Sequence, residues 1–232
     1  MVINGPIMFD IEVIKDLGPH HAEMMIPHRR VRGRVSEMAR EWKGHQSEIA
    51  ETESVIFMTV LSGGAPFAEM FLDELAKLPG SEEYQKDNVR VGSYGLEMSS
   101  NNMPEITCIP KNIEAIKGAR IVLLEDIKDT GRSLKLLVEY FRALGASSVE
   151  IIALLAKSEM QEVEPEADST MIGFEIPSDF VVGEGIDWAE KYRIKRGIWK
   201  IVEHNDGVTR DNRRWYVKLW EKVNVWVDRH LT

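Results

Sequence analysis

The segment Arg120–Leu144, RIVLLEDIKDTGRSLKLLVEYFRAL, constrains the fold more than any other part of the 232-residue chain. Ile121–Leu124 is a continuous apolar run bounded by polar residues, the pattern of a strand buried on both faces. Glu125, Asp126, Ile127 and Lys128 come next, then the turn Asp129-Thr130-Gly131-Arg132-Ser133. Leu134, Leu136, Leu137, Tyr140, Phe141 and Leu144 then recur at helical spacing over about three turns. Strand, tight turn and helix place a polar loop at the C-terminal edge of a parallel sheet, where open α/β folds bind ligands. The expected fold class is α/β, a mostly parallel sheet flanked by helices.

The turn has its own chemistry. Gly131 lets a ligand approach the backbone, the hydroxyls of Thr130 and Ser133 donate, and free N–H groups at a helix start carry partial positive charge, so the turn suits an anion. Glu125 and Asp126 suit the opposite kind of group: vicinal hydroxyls, or a divalent cation held directly or through water. A ligand carrying a ribose, a phosphate and a magnesium ion satisfies both halves. Neither the glycine-rich dinucleotide pattern nor the Walker lysine pattern follows this strand.

Further segments complete the sheet and its helices. Val31, Val35, Met38, Ala39 and Trp42 fall at helical spacing within 26–43, with Arg29, Arg30, Arg32, Arg34 and Arg40 on a solvated side. Residues 54–61, SVIFMTVL, form a second buried strand, and Ser62-Gly63-Gly64 turns into a helix over 65–78, with Pro66 in its first turn. Residues 88–93 are a short strand, after which Gly95–Pro104 has a loop composition. Residues 148–156, SVEIIALLA, and 198–202, IWKIV, are further strands. Glu159–Asp168 reads as an exposed acidic loop.

Composition bounds the function classes. A formal charge of −9 disfavours a general nucleic-acid binder. No apolar run approaches the ~18 residues of a membrane span, and the N-terminus shows no signal-peptide pattern. The single cysteine, Cys108, rules out an internal disulfide framework and suits the cytoplasm.

Two hydrophobic residues, two acids, two variable residues and then Asp129-Thr130-Gly131 with a hydroxyl residue resemble the phosphoribosyl-diphosphate signature of type I phosphoribosyltransferases. Gly173–Arg193, GFEIPSDFVVGEGIDWAEKYR, resembles the purine-binding hood of the hypoxanthine-guanine members. The resemblance covers roughly residues 26–202. It implies transfer of the 5-phosphoribosyl group from phosphoribosyl diphosphate to a 6-oxopurine (hypoxanthine, guanine or xanthine), with Mg2+ as cofactor, in purine salvage. Under it Asp129 is the catalytic acid–base residue. Glu125, Asp126, Thr130, Gly131, Arg132, Ser133, Ser62, Gly63 and Arg193 bind phosphoribosyl diphosphate, and Glu125, Asp126 and Asp187 serve the metal. Lys157, Phe180, Val181 and Asp187 meet the purine, and Ser93-Tyr94 opens a mobile catalytic loop. Ser62 departs from the pattern, because many members carry a basic residue there.

The expected organisation is an N-terminal arm over 1–25, read as extended or loosely ordered, a phosphoribosyltransferase domain over 26–202, and a C-terminal helical extension over 203–232. A small hood is expected from 173–202 and part of the N-terminal region. The extension's helix carries Trp215, Trp220 and Trp226. The partners implied are small molecules and further copies of the chain in a dimer or tetramer, with no nucleic acid and no membrane. Two alternatives stay open: a phosphoribosyltransferase using another base, such as adenine or orotate, and a regulator that keeps the pocket but binds nucleic acid.

Overall fold

A computed structural model describes residues 13–17, 20–46, 54–81, 84–93, 104–186 and 195–203. In chain order the elements are β1 (Val13–Leu17), β2 (His20–Ile26), α1 (His28–Gln46), β3 (Val55–Leu61), α2 (Gly64–Ala76), β4 (Gln85–Ser93), β5 (Pro104–Cys108), β6 (Arg120–Lys128), α3 (Arg132–Ala143), β7 (Ser148–Lys157), β8 (Ser169–Ile176), β9 (Val181–Val182) and β10 (Ile198–Glu203). A six-stranded sheet has the order β5-β4-β3-β6-β7-β8, and a four-stranded sheet has the order β1-β2-β10-β9. In the larger sheet β4, β3, β6, β7 and β8 run parallel, and β5 is an antiparallel edge.

The two-sided burial read from the apolar run follows from the pleat. Along β6, Val122 and Leu124 pack with Phe57, Phe67, Phe71 and the α1 residues Val31, Val35 and Met38. Ile121 and Leu123 point the other way and pack with Leu134, Leu137, Val138 and Phe141 of α3. One face is therefore covered by α1 and α2, the other by α3, as parallel sheets require. Gly145 closes α3 in a Schellman motif: its N–H donates to Arg142 O at 2.9 Å and the Ala146 N–H donates to Phe141 O at 3.1 Å. That cap sets the chain into β7.

Several boundaries differ from expectation. The strand β6 continues four residues past the apolar run, because its ladder with β7 pairs Glu125 with Ala153 and Lys128 with Ala156. Glu125 and Asp126 are thus strand residues, and the turn begins at Asp129 as expected. The expected hood boundary at Gly173 falls inside β8, which pairs in parallel with β7 and belongs to the large sheet. The arm expected over 1–25 to be extended or loosely ordered is, for its described residues, extended and paired: β1 pairs with β2, and β2 with β10, both antiparallel. The short strand expected from Asn88 begins at Gln85, where it already pairs with Ile56. Residues 204–232, including the expected C-terminal helix, lie outside the described residues.

A charged cluster sits under the N-terminal end of the sheet. Arg120 and Glu150 form an ion pair with both residues buried. Glu150 also accepts the indole N–H of Trp42 at 3.1 Å, and the Arg120 guanidinium lies 5.7 Å from the Trp42 ring centre. Trp42 in turn packs on Phe57 and Tyr84, with ring centres 4.9 and 5.5 Å away. Removing one member of such a pair leaves the other charge buried and uncompensated. Glu150→Ala is expected to lower the unfolding free energy by about 3–5 kcal/mol, read from denaturant midpoints, and the apolar pair Arg120→Met with Glu150→Leu to cost much less.

Candidate active site

Three parallel strand ends build the site. A cavity of about 330 Å3 opens at the C-terminal edge of the large sheet, lined by the end of β3 and Gly63, by Val91 of β4, by Glu125 through Gly131, by Ser133 and Leu134 of α3, and by Ile186. The helices α2 and α3 both begin here. Neither has a side-chain cap: Gly63 precedes α2, and Gly131, with φ +85°, precedes α3. Helix starts without a capping oxygen leave N–H groups and the positive dipole end for a ligand. The nearest substitute is weak, the Arg132 N–H lying 3.5 Å from Thr130 Oγ1. Two helix starts without side-chain caps therefore flank one cavity.

Between them lie the two acids. Glu125 and Asp126 are both buried. Glu125 accepts the Asp126 N–H at 3.2 Å, and Asp126 accepts the Ile127 N–H at 3.0 Å. Burial first, and the neighbouring Asp126 carboxylate second, push Glu125 well above the usual carboxylate range. The Asp126 carboxylate lies so close to Gly63 that a Cβ there would overlap it. Any side chain at position 63 would displace Asp126 or open the gap between β3 and β6. Gly131 is equally constrained, since a Cβ there would overlap the carbonyl of Val163 and its positive φ disfavours any other residue.

Asp129 and Lys157 meet at the rim, where the ammonium donates to Asp129 Oδ2 at 3.1 Å. The two belong to adjacent strand ends 28 residues apart in sequence. Among the described residues Asp129 Oδ1 is buried without a hydrogen-bond partner. An orphaned buried carboxylate oxygen is costly unless a ligand donor reaches it. Asp129 and Lys157 thus offer an acceptor and a donor side by side.

Some residues around this site have no counterpart in the sequence reading. Gln161 donates from one amide nitrogen toward three backbone carbonyls: Asp129 and Lys157, both at 2.9 Å, and Lys128 at 3.5 Å. It ties the end of β6 to the end of β7. The acidic loop, expected to be merely exposed, folds over the turn. The Glu162 and Val163 N–H groups donate to Thr130 O at 3.1 and 3.2 Å. Glu162 pairs with Arg132, and Glu164 pairs with Lys128 at 2.6 Å. Ile186 enters from the smaller sheet's connection. No local pattern marks any of these, because each acts through a partner distant in sequence.

The remaining expected residues are placed as follows. Ser62 accepts from Arg90 at 3.3 Å. Val181 is buried in β9, paired with Lys200. Phe180 packs with Ala22, Val182 and Trp199 on the smaller sheet and does not line the cavity. Ser93 ends β4. Tyr94, Asp187 and Arg193 lie outside the described residues. Among the described residues no group of three or more histidine, cysteine or acidic side chains could hold a metal by itself.

A parallel sheet whose strand ends hold paired acids, between two uncapped helix starts, has the architecture of a type I phosphoribosyltransferase. The family model for the phosphoribosyl transferase domain matches residues 33–191, and the chain belongs to this family. It is an enzyme of the glycosyltransferase kind. Its relatives include the hypoxanthine phosphoribosyltransferase of Haemophilus influenzae, 31% identical over 79% of this chain and 97% of that protein. The hypoxanthine-guanine phosphoribosyltransferase of Bacillus subtilis is 32% identical over 74% of this chain and 88% of that protein. Among solved structures, a hypoxanthine-guanine phosphoribosyltransferase from Bacillus anthracis superposes with a TM-score of 0.65 at 25% identity, covering 83% of this chain and 99% of that one.

The raised Glu125 makes a test of the acid pair. An acid that holds its proton more tightly when folded contributes its full stability below its ordinary value of 4.5 and loses it as pH rises through the folded value. Glu125→Gln, which mimics the protonated acid, is expected to raise the ligand-free melting temperature at pH 8 by about 2–8 °C. The gain should vanish near pH 4.5, as thermal melts at the two pH values would show.

Proposed function

We propose that this enzyme transfers the 5-phosphoribosyl group from phosphoribosyl diphosphate to a 6-oxopurine, releasing pyrophosphate, and so serves purine salvage. The observation that carries the reading is the Asp129–Lys157 pair at the rim of the acid-lined cavity. A 6-oxopurine presents its exocyclic oxygen and a ring nitrogen on one edge. The Lys157 ammonium donates to the oxygen, and the Asp129 carboxylate faces the ring nitrogen. Adenine would turn an amino group, itself a donor, toward the ammonium. The base preferences of the H. influenzae and B. subtilis relatives, as their names give them, agree with this.

The chemistry follows from charge development. Displacing pyrophosphate from ribose C1 builds positive charge on the ring and negative charge on the leaving group. The buried acids Glu125 and Asp126 bond the ribose hydroxyls. The turn Thr130–Ser133, at the start of α3, holds the 5′-phosphate through its N–H groups. Ser62 and Gly63, at the start of α2, face the diphosphate, joined by Arg193. Asp129 takes the proton from the purine nitrogen, or balances the charge there. The base extends beyond the described cavity toward the smaller sheet, where, as the family resemblance implies, Phe180 stacks on it and the Val181 backbone meets its polar edge. Ser93 and Tyr94 begin the loop that excludes water.

Magnesium fits this donor set in a limited way. Two carboxylates on β6, with Asp187, are too few to cage the ion alone, which matches the habit of Mg2+ of keeping water and substrate phosphates as ligands. Glu125, Asp126 and Asp187 would hold it, and it would neutralise charge on the diphosphate.

The described residues contain no helix long and apolar enough to cross a membrane. A cytoplasmic dimer or tetramer completes the reading.

Purified protein with Mg2+, phosphoribosyl diphosphate and each base in turn is expected to form nucleotide from hypoxanthine, guanine or xanthine. Adenine should react at least about 100-fold less efficiently in kcat/KM. Efficient use of adenine or orotate would overturn the base assignment. Asp129→Asn should lower kcat by about 100-fold or more while leaving purine affinity within a few-fold of wild type. Turnover equal to wild type would remove Asp129 from its role.

A further inference from the structure

The glycine loop at the start of α2 carries no charge of its own. Ser62 is neutral, and Gly63 and Gly64 offer only N–H groups. A diphosphate leaving group gathers negative charge, and an uncapped helix start answers about half a unit of it. Among the described residues, the other cations near the cavity already face carboxylates: Lys128 faces Glu164, Arg132 faces Glu162 and Lys157 faces Asp129.

Arg90 does not. The parallel ladder pairs its Cα with that of Leu61, the last residue of β3, so it stands beside the glycine loop at the same sheet edge. Its neighbours Val89 and Val91 pack toward the α3 face. The Arg90 Nη2 donates to Ser62 Oγ at 3.3 Å, which places the guanidinium beside the glycine loop at the start of α2. Arg90 is exposed, and among the described residues it has no carboxylate partner.

Resting on the phosphoribosyltransferase reading, we infer that Arg90 supplies the glycine loop with its cation. It would bind the diphosphate of phosphoribosyl diphosphate and the pyrophosphate product across the β3–β4 ladder. The serine hydroxyl orients the guanidinium in the ligand-free enzyme, and a polyanion replaces that weak neutral acceptor with a charge-assisted pair. The guanidinium's planar fork suits two phosphate oxygens at once.

The test compares wild type, Arg90→Gln, Arg90→Lys and the double variant Arg90→Gln with Ser62→Lys, which returns a cation one strand away. Pyrophosphate binding with Mg2+ is measured by calorimetry, inorganic phosphate serves as control, and KM is measured for both substrates. Arg90→Gln should weaken pyrophosphate and raise KM for phosphoribosyl diphosphate by about 10–100-fold, with KM for the purine little changed. Arg90→Lys should keep most of the affinity. The double variant should recover to within about threefold of wild type. Unchanged pyrophosphate affinity in Arg90→Gln overturns the inference, as does an equal loss for both substrates or a failure of the double variant to recover. A wild-type protein that binds neither phosphoribosyl diphosphate nor pyrophosphate sinks the functional reading instead, which the Arg90 variants alone cannot do.

Discussion

Two adjacent carboxylates buried at the end of a central strand are the constraint around which this structure is arranged. Out of water and side by side, Glu125 and Asp126 disfavour a second charge, and burial first, with the Asp126 carboxylate second, pushes Glu125 well above the usual carboxylate range. Such a pair is tolerable only where the backbone supplies donors and the cavity admits a ligand. The strand gives each acid one N–H. Gly63 leaves the space that Asp126 occupies. The cost is stored at the one place where a hydroxylated, cation-bearing ligand would relieve it, as is common at functional sites.

Rigidity around that pair comes from long-range ties. Gln161 joins two strand ends through three carbonyls, and the Glu162 and Val163 amides close on Thr130. The smaller sheet is fastened separately. Glu184, buried at the turn after β9, lies 2.6 Å from His28 Nδ1 at the start of α1 and accepts the Gly197 N–H. The two sheets share no strand and meet through this pair and through an apolar cluster in which Ile26, Val181, Ile186 and Ile198 pack with the residues of α1, α2, β3 and β6. The loops that present the site rest on elements packed from both faces, which keeps the donor and acceptor positions fixed while the loops themselves vary.

Much of this was legible in the chain itself, for local reasons. The two-faced run Ile121–Leu124 and the helical spacing from Leu134 to Phe141 are short-range patterns, and each matches the folded element. The positions of Glu125, Asp126, Asp129 and Lys157 at neighbouring strand ends follow once the parallel order is assumed. What was not legible depends on pairing between distant segments. The strand β8 has an intermediate, mixed burial pattern that resembles a surface strand, and only its ladder with β7 places it in the large sheet. Gly18-Pro19 marks a turn between β1 and β2 in the sequence, but which strand β2 pairs with on its other side is set by β10, more than 170 residues later. The roles of Gln161 and of the acidic loop arise from contacts about 30 residues apart.

The acidic loop has a consequence for how ligands arrive. Its glutamates neutralise Arg132 and Lys128, the cations beside the Thr130–Ser133 turn, in a molecule whose formal charge is already −9. Those pairings leave little long-range attraction for a polyanion at this turn, so one that binds there is held by short-range contacts, the exposed Arg90 among them, rather than drawn in from a distance.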